Sequence, residues 1–124
     1  MQFKLSKSHR YWWPVRVRIP DPEQPGRIIE QQLKMQFEPL SREDMLEAQD
    51  AAAKISSLRE MADHEAAQAR RIVKNWEGVV DEAGAVVPFT PELLDQALGQ
   101  SWFRKAVQDA LAESMNGEEA RRGN

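Results

Sequence analysis

A chain of 124 residues, 41% hydrophobic and 30% charged, has room for one lean core and not for two ordinary domains. It has no cysteine, which excludes a disulfide framework, a thiolate metal site and a thiol nucleophile, and fits a reducing, cytoplasmic setting. Net charge is −3 but graded: seven Lys/Arg against four Asp/Glu in residues 1–40 (+3), six against seven in 41–75 (−1), four against nine in 76–124 (−5). Apolar runs are only a few residues long, so neither a secretory leader nor a membrane span is expected.

Residues 11–38 read as an antiparallel β-hairpin. Trp13, Val15, Val17 and Ile19 alternate with Trp12, Pro14, Arg16 and Arg18, and Ile29, Gln31, Leu33, Met35 and Phe37 alternate with Glu30, Gln32, Lys34, Gln36 and Glu38. The segment PDPEQPG, residues 20–26, holds three prolines and a glycine and makes the connection. A symmetric closure pairs Val17 with Ile29, Trp13 with Leu33 and Arg16 with Glu30, and sets Trp12 over Lys34. Pro14 lacks a donor, which places the first strand on an edge.

Ser41 caps a helical stretch over residues 42–75, which contains neither Gly nor Pro and is rich in Ala, Glu, Arg, Lys and Gln. Its apolar stripe (Met45, Ala48, Ala52, Ile55, Leu58, Ala62, Ala66, Ala69, Ile72) continues to Val73 and Trp76. One bent helix fits, and so do two, the second capped by Asp63 or by Ser57 with Glu60. Trp76-Glu77-Gly78 closes the stretch, with Gly78 suited to a left-handed end. A short hairpin over 79–87 turns at Asp81–Gly84. Thr90 caps and Pro91 begins a helix over 91–98, and Ser101 caps a last helix over 102–115. Residues 116–124 form a polar tail expected to be disordered. The fold class is therefore α+β, a hairpin packed on a mainly helical body.

No catalytic constellation emerges. His9 and His64 lack ligand-spaced partners, Asp63-His64-Glu65 would point in different directions on a helix, and there is no phosphate loop or nucleophile elbow. No enzyme, metal or cofactor is expected. The run HRYWWPVRVR offers Tyr11, Trp12, Arg16 and Arg18 as contacts, as a nucleic-acid ribbon would, although its alternation fits an ordinary hairpin better. Trp102 and Phe103 are adjacent on a helix, so only one can face the core, and the pair is expected with the hairpin residues to offer a partner contact. Trp76, Gly78, Gly84, Phe89, Thr90 and Pro91 read as structural anchors of a chain-reversing corner.

In order, FEPLSREDM (37–45), a polar helical stretch, NWEGVVDEAGAVVPFTPELLDQAL (75–98) and a final helix resemble the tail assembly chaperones of long-tailed bacteriophages and prophages. The likeness spans about residues 35–115 and is sharpest over 76–94; the Ala-rich stretch and the double Trp are not features that the family requires. It implies a non-enzymatic cytoplasmic protein that binds the tape measure protein, keeps it soluble and recruits tail tube subunits. It also leaves room for a homo-oligomer, and for a frameshifted product extended past the tail. The alternative from another class is a small nucleic-acid-binding regulator that uses the basic aromatic hairpin.

Overall fold

The computed structural model describes residues 1–120. Two ten-residue strands, β1 (Tyr11–Pro20) and β2 (Ile28–Phe37), form an antiparallel hairpin, followed by α1 (Arg42–Ala53), α2 (Leu58–Ile72), β3 (Val73–Glu77), α3 (Pro91–Leu98) and α4 (Ser101–Met115). The sheet order is β1-β2-β3, all antiparallel. The molecule is thus α+β, and β1 is an edge strand that accommodates Pro14.

The hairpin register differs from the expected one by two residues: Val17 pairs with Gln31, Trp13 with Met35, Arg16 with Gln32 and Trp12 with Gln36. Pro20 joins the ladder opposite Ile28, and the loop is Asp21–Arg27, closed by the Asp21 amide donating to the Arg27 carbonyl at 2.8 Å. A two-residue slip leaves each side chain on its face, so the inward set survives: Val15, Val17, Leu33, Met35 and Phe37 are all buried.

A larger correction concerns residues 73–77, expected as helix. They form β3, with Trp76 opposite Met35 and a bulge between Gln36 and Phe37. The Glu38 amide donates to the Ile72 carbonyl at 2.8 Å, which carries the end of α2 directly into the strand. Local composition favours helix here, but the second edge of β2 requires a partner, and Val73 and Trp76 gain full burial by supplying it.

The helical stretch is two helices. Ser41 Oγ accepts from the Asp44 amide and Ser57 Oγ from the Glu60 amide, each at 3.1 Å, so Ser57, not Asp63, caps α2. Thr90 caps α3 through the Leu93 amide at 3.1 Å, with Pro91 in the first turn. The N-cap of α4 is Gln100 rather than Ser101, and no side chain bonds there. Instead the Arg104 guanidinium donates to the Leu98 carbonyl at 2.7 Å, satisfying the end of α3 and fixing the α3–α4 corner.

The core is one cluster. The inner sheet face meets Leu94 and Leu98 of α3 and Phe103, Ala106, Val107 and Ala110 of α4, which packs along β1. Neither α1 nor α2 contributes a fully buried residue. At the expected tail, Asn116 ends α4 and the Glu118 amide reaches back to the Glu113 carbonyl at 3.2 Å. Residues 121–124 of that tail lie outside the described residues.

Candidate partner-binding surfaces

The residues expected as contacts do not form one surface. Tyr11 is half-buried; its hydroxyl lies 2.7 Å from Ser114 Oγ and its ring meets Trp13 and Phe37 edge-on at 6.2 and 6.1 Å. Trp13 donates its indole N–H to Glu113 at 3.0 Å. These bonds fasten the last turn of α4 to the start of β1. Trp12 is 38% exposed on the opposite sheet face, which it shares with Arg16 and Arg18. Trp102 is 46% exposed at the other end of α4, about 18 Å along the helix from Ser114 at 1.5 Å per residue. Phe103 is in the core and presents nothing to a partner.

The outer hairpin face is electrostatically mixed. Arg18 pairs across the ladder with Glu30, and Arg16 with Gln32. A broad open groove beside it is lined by Arg16, Arg18, Glu30, Lys105, Asp109 and Glu113 among others, so it carries both cations and anions. Such a surface has no single-sign field to attract a polyanion.

The corner residues are architectural in position. Trp76 is buried, donates its indole N–H to the Val87 carbonyl at 2.8 Å and meets Phe89 edge-on at 5.2 Å. Gly78 has φ +86° and lies against the Leu33 backbone, while Gly84 has φ +84° at the hairpin tip. Val80 bridges to Val86, and Asp81 Oδ1 accepts from the Ala83 and Ala85 amides, each at 2.9 Å. Thr90 and Pro91 then launch α3.

A second surface was not legible as a unit. The face of α1 carrying Met45, Ala48 and Ala52 turns toward α2, where Asp44 meets Arg71 at 3.4 Å. The two helices and the end of α4 leave an apolar cleft of about 250 Å³, lined by Leu40, Met45, Ala48, Gln49, Ala52, His64, Gln68, Ile72, Leu111 and Met115. The alanine stripe in the sequence marks its α1 wall through Ala48 and Ala52, whereas α2 presents His64, Gln68 and Ile72. Leu111 and Met115, arriving from a distant helix, have no local signal that would join them to it.

One carboxylate is perturbed. Glu38 accepts from Arg10 Nε at 2.9 Å and Nη2 at 2.7 Å, and that bond, chiefly, holds its carboxyl below the ordinary value; partial desolvation opposes it, and the charges of Arg10 and Lys74 and the Ser8 hydroxyl assist. Among the described residues no cluster of three or more His, Asp or Glu is placed to hold a metal ion, and no helix is long and apolar enough to cross a membrane.

Nothing among the curated proteins or the solved structures matches the chain. A family model, described as the YdaY prophage protein, matches residues 30–123. The match begins within β2, so it takes in the apolar cleft, the Trp76 corner and Trp102, while β1 with Trp12, Arg16 and Arg18 precedes it. With most of its length matched, the chain belongs to the YdaY prophage protein family.

Proposed function

We propose that this prophage protein is a tail assembly chaperone that acts in the host cytoplasm, without catalysis or cofactor. In this reading it shelters an amphipathic helix of the tape measure protein until tail tube subunits assemble around it. The observation that carries the reading is the apolar cleft between α1, α2 and the end of α4. Its lining is mainly Leu, Met, Ile and Ala side chains with Gln49, His64 and Gln68 among them, and two of its sides are helices, a shape suited to helix-in-groove recognition. The order of motifs from Phe37 to Leu98, which resembles phage tail chaperones, and membership of a prophage family agree with it.

The test is co-expression with the tape measure protein encoded in the same prophage. Soluble client should rise with the intact protein and fall back with Ala48→Arg, which places a charge in the cleft wall. Equal client solubility with and without the protein defeats the proposal. Binding of a DNA or RNA duplex at physiological salt, lost in Arg16→Ala/Arg18→Ala, would instead establish the regulator reading.

A further inference from the structure

Residues 1–10 are exposed throughout, yet Met1, Phe3 and Leu5 alternate with Gln2, Lys4 and Ser6, the pattern of a segment with one apolar face. Phe3 is 88% and Leu5 93% exposed. The root of this arm is fixed against chain segments that lead into the apolar cleft. Arg10 is held by Glu38, which Ser8 also approaches, and Leu40, two residues after Glu38, lines the cleft. His9 lies against Tyr11 with ring centroids 5.5 Å apart, and Tyr11 is bonded to Ser114, the neighbour of the cleft residue Met115. An uncovered apolar strap is therefore hinged beside an uncovered apolar cleft.

We infer that residues 1–7 fold back in the same molecule and lay Phe3 and Leu5 in the cleft over Leu40, Met45 and Met115, as an internal occupant that a client displaces. Reach is sufficient. At about 3.3 Å per extended residue, Leu5 lies within roughly 10 Å and Phe3 within roughly 17 Å of the Ser8 hinge. Covering the cleft this way keeps two apolar surfaces out of water while no client is present. The arm's role as a competitor rests on the cleft being the client site; its docking does not.

Because the chain has no cysteine, the docking can be read by disulfide formation in the full-length protein. Leu5→Cys/Met45→Cys should close an intramolecular disulfide several-fold faster than Leu5→Cys/Glu47→Cys, whose second thiol sits on the outer side of α1. Equal rates, or a disulfide that forms only between two copies, overturns the inference. A second measurement needs no cysteine. Deleting residues 2–7 removes exposed apolar side chains, yet it should raise binding of a hydrophobic dye by uncovering the cleft; unchanged or lower dye binding also overturns it. Neither readout involves the tape measure protein, so a failed client assay and a failed arm assay are separable.

Discussion

The indole N–H of Trp76 donates to the Val87 carbonyl at 2.8 Å, so a side chain fastens β3 to the return limb of the 79–87 hairpin, whose own closure is the Val87 amide donating to the Val79 carbonyl at 2.9 Å. Trp76→Phe keeps a ring against Phe89 but leaves that carbonyl without its donor, at a cost of about 1–3 kcal/mol. Trp76→Ala also empties the ring's volume and should cost about 3–5 kcal/mol. Urea unfolding followed by the remaining tryptophans gives both values, and equal losses would show that the hydrogen bond contributes nothing.

Gly78 and Gly26 share a left-handed backbone, at φ +86° and +84°, but differ in surroundings. A Cβ at Gly26 meets open space, whereas at Gly78 it comes to 3.5 Å from Leu33 Cα, ordinary contact on a backbone with little room to relax. Each alanine substitution should cost about 1–2 kcal/mol from the left-handed conformation. Gly78→Ala should be the larger loss, because a shift there would displace β2. Thermal melting of the two variants checks the order.

Acid should loosen the root of the arm. Glu38 titrates below its ordinary 4.5 in the folded protein, chiefly because Arg10 bonds to the charged form. A group with a depressed folded pKa stabilises the fold above its unfolded value and loses that contribution as pH falls through the folded value. Stability should therefore drop below about pH 4.5, the ordinary value, with part of the drop removed in Glu38→Gln. The comparison is denaturant midpoint against pH for both proteins; identical slopes would mean the pair contributes nothing to folding.

Helix α1 should open far more easily than the rest. None of its residues is fully buried, and its ties to α2 are the cleft side chains and the exposed Asp44–Arg71 pair, a kind of ion pair that contributes about 0–1 kcal/mol. Amide exchange followed by mass spectrometry should show α1 exchanging by local opening while β2 and α4 exchange only with global unfolding. Co-purification with client should then slow exchange in α1 selectively.

Where local chemistry decides, the sequence was informative. Ser41, Ser57 and Thr90 cap helices because a short hydroxyl side chain has few better partners than a free amide in the next turn. The alternation of β1 and β2 fixed their faces even though the register moved by two, because the core senses parity and the loop decides the slip. What failed was non-local. Residues 73–77 carry helix-compatible residues, and only the unpaired edge of β2, nearly forty residues earlier in the chain, turns them into a strand. The cleft failed to show for the same reason: Met45 and Met115 are joined only by the tertiary fold. Of the two adjacent aromatics on α4, the sequence required that one face outward and left open which; packing against Leu94 and Leu98 chose Phe103 for the interior.

Strand β3 reaches β2 only after the chain has travelled through both α1 and α2. That excursion is a closed loop whose ends are pinned by sheet pairing and whose interior carries no fully buried side chain. Closure entropy grows only logarithmically, so doubling such an excursion costs about 0.6 kcal/mol. The helical pair is thus free to lengthen or shorten across evolutionary time with little penalty to the sheet. On the proposed chaperone reading, the cleft can be remodelled for clients of different helical length without rebuilding the body that holds it.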